Sequence, residues 1–300
     1  MKRTIHLLSI FLVLFVLPIS TEAQTKRALL IGISDYGATS GNTRDGQWEN
    51  IHGANDVGLL APTLQKKGFK VTKVTNKTAT SQRIRKEMKK LVGQCRKGDI
   101  VYLHFSGHGQ PFEDMNGDEE DGWDESFVPV DAPMLYRKGS YEGKNHLLDD
   151  DMYSYFQQIR KAIGPKGYLC VVIDACHAGG SSRGDELEED EEPICRGTKK
   201  AFSPSGKVYR PRVNTNGRFT ITTGNNLGNI TILEACRSYQ SNYEIKQNGS
   251  YYGPLSYYVN QALQSNQIAP NLNLVNDVKR RMDGDRRLTR QNMVYETSLK

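Results

Sequence analysis

Short apolar runs alternating with amphipathic stripes fill the first 180 residues. Arg27–Ile33 (RALLIGI) reads as a buried strand. Asn55–Gly68 sets Val57, Leu59, Leu60 and Leu64 at helical spacing and stops at a glycine, which predicts a helix. Lys70–Val74 predicts a second strand, and Asp99–Phe105 (DIVYLHF) a third. Between them, Thr80–Val92 predicts a helix with Ile84, Met88 and Leu91 on one stripe. Asp149–Ile163 predicts a helix whose acidic opening suits the positive end of its dipole. Tyr168–Ile173 (YLCVVI) predicts a fourth strand. Strands that are near-continuous apolar runs, alternating with helices, are what a mainly parallel α/β sheet covered on both faces requires.

The pattern breaks at Ser181. Residues 185–192 (DELEEDEE) hold seven acids in eight positions, and Gly, Ser, Pro and basic residues follow. Ser181–Gly217 is therefore expected to be an exposed, mobile loop. Beyond it, Phe219–Thr223 and Asn229–Ala235 predict strands, and Pro254–Leu263 and Leu274–Met282 predict closing helices. The expected organisation is a leader (1–23), a large part (24–180), the loop (181–217) and a smaller part of the same domain (218–300).

The leader reading rests on the first 23 residues. Lys2 and Arg3 precede an apolar run, Leu7–Pro18, and Thr21-Glu22-Ala23 ends in a small residue. That order is the one a secretory signal peptide shows, and the run is short for a membrane span. A secreted or periplasmic protein, with no membrane segment in its mature form, is expected. The formal net charge is +6, with the basic residues scattered, so nucleic acid is not an expected partner.

Five cysteines, Cys95, Cys170, Cys176, Cys195 and Cys236, are an odd number for an exported chain, which points to a reactive thiol. No CxxC and no HExxH occurs, which disfavours zinc chemistry. Cys170 and Cys236 sit in apolar runs and read as buried thiols.

The chemistry gathers where two strands end. DIVYLHF runs into Ser106-Gly107-His108-Gly109, and YLCVVI into Asp174-Ala175-Cys176-His177. In open α/β sheets, ligands and catalysis collect at the carboxyl ends of strands. A cysteine attacks as thiolate and needs a nearby base. If the two strands are neighbours, His108 and Cys176 emerge at one edge. His177, adjacent to Cys176, is expected on the opposite face, and His104 in the core.

FSGHG and DACHAGG resemble the two active-site motifs of the caspase and metacaspase peptidases. RALLIGISDY, HGANDVGLLAPTL and ITILEACRS extend the resemblance over Lys26–Gln264. It implies a three-layer α/β/α sandwich with a mainly parallel central sheet. It further implies a catalytic dyad of His108 and Cys176, with the backbone N–H groups of Gly109 and Cys176 as oxyanion hole. Asp56 and Ser106 match pocket positions of metacaspases. With Asp174, they would form an acidic pocket for Arg or Lys at P1, the residue before the cut bond. The expected partner is thus a peptide or protein substrate cleaved after a basic residue. Basic residues of the loop, Arg183, Arg196, Lys199, Lys200, Lys207, Arg210 and Arg212, make self-processing an expectation. A catalytically silent scaffold, or a peptidase with another preference, is the alternative.

The dyad chemistry needs no cofactor. Two acidic stretches nevertheless suggest calcium as an activator. Asp114, Asn116, Asp118 and Glu125 have the alternation of a calcium loop, though Glu119 stands where such a loop needs glycine. Asp149 and Asp150 form the second candidate, which the family resemblance also favours.

Overall fold

In the computed structural model, residues 24–38, 46–177, 193–211 and 219–299 are described. The leader, 1–23, and the acidic run, 185–192, lie outside them. The elements in chain order are β1 (Lys26–Gly32), α1 (Gly53–Lys66), β2 (Phe69–Thr75), α2 (Ser81–Gln94), β3 (Ile100–Ser106), β4 (Gly109–Glu113), β5 (Trp123–Phe127) and β6 (Leu147–Leu148). There follow α3 (Asp149–Ile163), β7 (Tyr168–Asp174), β8 (Asn229–Glu234), β9 (Ile245–Gln247), β10 (Ser250–Tyr252), α4 (Pro254–Ala262), α5 (Asn273–Asp283) and β11 (Val294–Thr297).

The central sheet has the order β11-β8-β7-β3-β1-β2, parallel throughout except for β11, which runs antiparallel to β8. Alternate strand residues serve opposite layers, because side chains on a strand point to opposite faces. Leu29, Ile31, Val101, Leu103, Leu169 and Val171 pack in one core with Ile84, Met88 and Leu91 of α2 and Phe156, Ile159 and Ile163 of α3. Ala28, Leu30, Tyr102, Cys170 and Val172 pack in the other with Val57, Leu60 and Leu64 of α1, and with α4 and α5. The expected three layers are therefore present. Each fully buried Leu or Ile contributes roughly 1.5–3 kcal/mol, which explains why apolar residues occupy both faces of the strands. Thr80 caps α2, its hydroxyl accepting from Arg83 N at 3.2 Å.

Two expectations are corrected. Phe219–Thr223 is not a strand. The outer edge of β8 is taken by Val294–Thr297, and 219–223 instead lies over α3. There Phe219 stacks on Tyr153 at 5.7 Å, and the Tyr153 hydroxyl donates to Thr220 O and accepts from Thr222 N. The second correction concerns the loop. Within the span expected to be exposed, Arg196 and Phe202 are fully buried.

Candidate active site

The sheet register places the site. Ser106, the last residue of β3, pairs with Asp174, the last of β7. His108 and Cys176 each follow two residues later, so neighbouring parallel strands deliver both to the same edge. Ile33 N donates to Ser106 O at 3.0 Å, and Gly53 is so close to that carbonyl that a Cβ there would stand 2.3 Å from it. α1 therefore starts against the end of β3, and its Asp56 reaches the same edge.

His108 is held on three sides. Its ring lies 4.9 Å from Trp48, stacked, and 4.8 Å from Tyr36. Nε2 is 2.8 Å from the Glu49 carbonyl. A carbonyl only accepts, so Nε2 carries the proton of the neutral ring and Nδ1 holds the lone pair. Among the described residues, Nδ1 is buried without a hydrogen-bond partner. Burial, outweighing the help of the Glu49 carbonyl and the Glu244 charge, lowers His108 to about 4. Burial likewise pushes the Cys176 thiol well above its ordinary value. Burial thus favours the neutral form of each group. Cys176 Sγ lies 3.8 Å from Cys195 Sγ, a thiol–thiol contact.

His177 and His104 lie where the alternation put them. His177 is buried with its ring edge-on to Phe127, and its atoms come so close to Gly109 that no side chain fits there. His104 is buried, 3.3 Å from Ser256 Oγ.

The chain presents one of its own peptide bonds to this edge. Gly109 N donates to Arg196 O at 3.0 Å and Cys176 N donates to the same oxygen at 3.2 Å. Gly197 follows so closely that a Cβ on it would meet Cys176 Sγ at 2.6 Å. Upstream, Arg196 N donates to Asn242 O at 2.9 Å and Glu244 N to Ile194 O at 2.9 Å, so 194–196 runs antiparallel to 242–244. This is strand addition, in which main-chain bonds hold a segment while its side chains fill pockets.

The pocket that takes the Arg196 side chain contains the three expected residues. Nη1 donates to Asp56 Oδ2 at 2.7 Å and to Ser106 Oγ at 2.6 Å, and stands 3.6 Å from Asp174 Oδ1. Ser106 Oγ in turn donates to Asp56 Oδ2 at 2.6 Å. A fourth residue, unremarked in the sequence, grips the rest of the guanidinium. Glu244 Oε1 accepts from Nε at 3.0 Å and from Nη2 at 2.7 Å, while its other oxygen meets His52 Nδ1 at 2.5 Å.

Secondary contacts hold the carboxylates. Asp174 accepts from Asn242 Nδ2, Ser256 N and Ser256 Oγ. Gly253 N donates to Asp56 Oδ1, and a side chain at Gly253 would fall within 2.4 Å of both Asp174 and Arg196. Glycine is required there by that close approach. Burial pulls the Arg196 guanidinium down, but Asp56, Glu244 and Asp174 outweigh it and hold its pKa well above the ordinary value. Burial pushes Glu244 up, and Arg196 and His52 outweigh that and hold its carboxyl below the usual range. Burial also raises Asp56, to about 7, with Asp174 adding to the rise against the pull of Arg196. Asn242, Glu244, Gly253 and Ser256 all follow β8, and only the fold brings them to the pocket.

The acidic candidates regroup. Asp118, Asp124 and Asp150 bring carboxylate oxygens within 4.8 Å of one another. This set takes one residue from each expected group and adds Asp124. Asp114 instead turns its own loop, its oxygens accepting from Asn116 N, Gly117 N and Glu119 N. Three carboxylates from three segments are hard oxygen donors, a set that fits calcium or magnesium. Burial raises Asp124 to about 7, with surrounding carboxylates adding to the shift.

Comparison with known proteins agrees with this architecture. The caspase-domain model of the C14 peptidases matches residues 25–300. Metacaspase-1 of Kluyveromyces lactis is 31% identical over 160 residues, 51% of this chain and 33% of the relative. Metacaspase-2 of Trypanosoma brucei brucei is 26% identical over 241 residues, 76% of this chain and 58% of the relative. The chain thus spans between a third and somewhat over half of these relatives' length. Among solved structures, a Geobacter sulfurreducens protein superposes with a TM-score of 0.59 at 19% identity, covering 91% of this chain and 93% of its own. Caspase-1 from Spodoptera frugiperda does so with 0.50 at 13%, covering 92% and 88%; at such identities the likeness is one of fold. With the family model matched over nearly the whole chain, on a sheet that delivers His108 and Cys176 to one edge, the protein belongs to the caspase-domain family of cysteine peptidases.

Proposed function

We propose that the protein is a cysteine endopeptidase that cleaves after arginine, and more weakly after lysine, with Cys176 as nucleophile and His108 as general base. The observation that carries this is the seating of Arg196. Its side chain fills a buried site with three acidic residues while its carbonyl oxygen accepts from two backbone N–H groups beside Cys176. That is how an acyl-transfer enzyme holds a scissile bond before attack.

The steps follow from the protonation states. Cys176 Sγ attacks the carbonyl carbon of the P1 residue as its proton moves to His108 Nδ1. The Gly109 and Cys176 N–H groups stabilise the negative oxygen. His108 then returns the proton to the leaving amine, which gives a thioester, and water attacks that in turn, again losing its proton to His108. Burial of both groups places the cost of charge separation in the attack itself. Arginine is favoured over lysine because Glu244 accepts from Nε and Nη2 while Asp56 and Ser106 accept from Nη1, a fork an ammonium lacks.

The same reading makes Arg196–Gly197 the bond for self-processing. It also keeps calcium as an activator, with Asp118, Asp124 and Asp150 to hold it, and the leader as an export signal. The test is hydrolysis of fluorogenic peptides bearing Arg, Lys, Asp or Asn at P1, beside Cys176→Ala, with mass spectrometry of the protein's own fragments. Arginine peptides should be cut fastest, a fragment should end at Arg196, and both should vanish in the variant. Cleavage after Asp or Asn would overturn the pocket, and activity surviving in Cys176→Ala would overturn the nucleophile.

A further inference from the structure

Downstream of Gly197 the same segment is anchored a second time. Residues 197–202 follow β4, with parallel bridges from Gly109 to Gly197 and from Phe112 to Phe202. Phe202 N donates to Pro111 O at 2.8 Å, and Glu113 N to Phe202 O at 2.9 Å. The segment advances from Gly197 to Phe202 while β4 advances only from Gly109 to Phe112, and Gln110 Nε2 ties down the slack by donating to Lys200 O at 2.7 Å. The Phe202 ring is fully buried in a cage of its own, separate from the two cores that flank the central sheet. It stacks on Phe112 at 4.7 Å and meets His146 at 4.7 Å, with Tyr136 and Tyr141 edge-on at 5.8 Å and 5.7 Å.

This cage is built. Tyr141 Oη lies 3.0 Å from His146 Nδ1, and His146 Nε2 lies 2.9 Å from Gln110 Oε1. One chain of hydrogen bonds thus runs from the cage wall through Gln110 to the Lys200 carbonyl. Gly143 closes the cage: at φ 95° it adopts a conformation that favours glycine, and a Cβ there would stand 2.7 Å from the Phe112 ring and 3.0 Å from that of Phe202. A phenylalanine in a polar, basic stretch, six positions past Arg196, is given a complete aromatic enclosure beside the site.

We propose that the cage of Phe112, Tyr136, Tyr141 and His146 is a docking subsite for an aromatic side chain on the C-terminal side of the cut bond. Phe202, seated in it, sets the register that presents Arg196–Gly197 to Cys176. Phe202 is a positioning residue that touches no reacting atom. Held at Arg196 on one side and at Phe202 on the other, the bond is stretched across Cys176, so self-cleavage is intramolecular. After the cut, Phe202 keeps the new N-terminus, Gly197, tethered close to the site. The inference rests on the peptidase reading for its function, but the docking itself is testable without activity.

The experiment has two arms with opposite expected signs. In the full chain carrying Cys176→Ala, added trypsin should cut Arg196–Gly197 slowly, since the Arg196 side chain is buried and its carbonyl is hydrogen-bonded within the site. Adding Phe202→Ala should speed the cuts within the anchored segment, at Arg196, Lys199 and Lys200, at least tenfold while cuts at Lys and Arg sites elsewhere keep their rates. In the chain with Cys176 intact, Phe202→Ala should slow self-cleavage at least tenfold, while hydrolysis of a short arginine substrate, measured after trypsin has completed the cut and been removed, stays within twofold. General loosening would speed trypsin everywhere, so the site-selective ratio separates anchoring from damage. Should Phe202→Ala fail to fold, Phe202→Leu decides, with about threefold changes of the same signs expected. Unchanged trypsin sensitivity at Arg196, or self-cleavage as fast as in the parent, overturns the proposal. A parent chain that hydrolyses nothing overturns the peptidase reading alone, and the trypsin arm still decides the docking.

Discussion

Two groups of acidic residues in this molecule use the same side chains to opposite effect. Asp56, Asp174 and Glu244 are buried around a guanidinium from their own chain, and every oxygen of the two aspartates is hydrogen-bonded. Asp118, Asp124 and Asp150 gather at a loop edge, where Asp118 and Asp150 are exposed, and where burial, with neighbouring carboxylates adding to it, raises Asp124 and Asp150. Taking charge out of water costs several kcal/mol per ion, so a buried carboxylate is tolerated only with a partner fixed in place. A cluster with two exposed members pays for desolvation chiefly at its buried one, Asp124, and can remain without a cation. Density of acid along the chain therefore says little about a site. The longest acidic run, 185–192, lies outside the described residues.

The comparison breaks most sharply on activity. Asp174→Asn keeps the shape of the buried pocket but removes a charge that faces the guanidinium. Breaking a buried pair costs about 3–5 kcal/mol. With arginine peptides, kcat/KM should therefore fall roughly 100-fold or more. The matching change in the exposed group, Asp150→Asn, should alter it by less than about threefold at saturating calcium, because exposed charge pairs contribute little. Equal losses from the two variants, measured on the same short substrate, would end the distinction.

How much was legible follows the same division. The parallel strands could be read because both their faces are buried and their apolar runs are unbroken. His108 and Cys176 could be read because they end such strands, whereas Asp56 was marked only by the family resemblance, since one acid in the first turn of a helix is commonplace. β4 and β5 (GQPFE and WDESF) carry too few apolar residues to be read as strands, and β11 (VYET) is short. Glu244 and Asn242 lie in a polar stretch between β8 and β9, with nothing local to mark them. Their role arises because α4 and β8 bring that stretch back to β7. Arg196 was one of seven basic residues in the loop, and spacing alone could not choose among them. Phe202 was hidden by its neighbours, since one aromatic residue in a basic segment has no periodicity.

A pH series separates the buried histidines from the raised carboxyls by sign. Burial lowers His104, His108 and His146 to about 4. A histidine held neutral contributes stability that is fully present above its unfolded pKa, near 6.5, and lost as pH falls toward the folded value. Each of the three would contribute up to about 3 kcal/mol across that window. Thermal unfolding of Cys176→Ala should therefore show a steep fall between pH 6.5 and 4. Raised carboxyls run the other way, in either group. Asp56, Glu119 and Asp124, all raised to about 7, contribute stability below about pH 4 that is lost as pH rises through 7. In chelator that loss should be the gentler slope. A midpoint flat from pH 7 to 4 would mean the histidines take up protons without unfolding the core.

The smallest effect tests whether the exposed group is a cation site or a solvated edge. Asp124 is the member most surrounded by other carboxylates, and burial with those charges already pushes it up. In chelator, Asp124→Asn removes one of these repulsions and should raise stability by about 0.5 kcal/mol, the size of a like-charge pair near a surface. In calcium the sign should reverse. A cation at a hundred times its Kd stabilises the folded parent by about 2.7 kcal/mol, and the variant, short of one hard oxygen donor, should lose most of that gain. The readout is the difference between unfolding midpoints in calcium and in chelator, parent against variant. A parent that gains nothing from calcium, while Asp124→Asn gains the same small increment in both buffers, would make the cluster a solvated edge. The buried pocket would then be the only one of the two acidic groups that holds a cation, and that cation is the chain's own arginine.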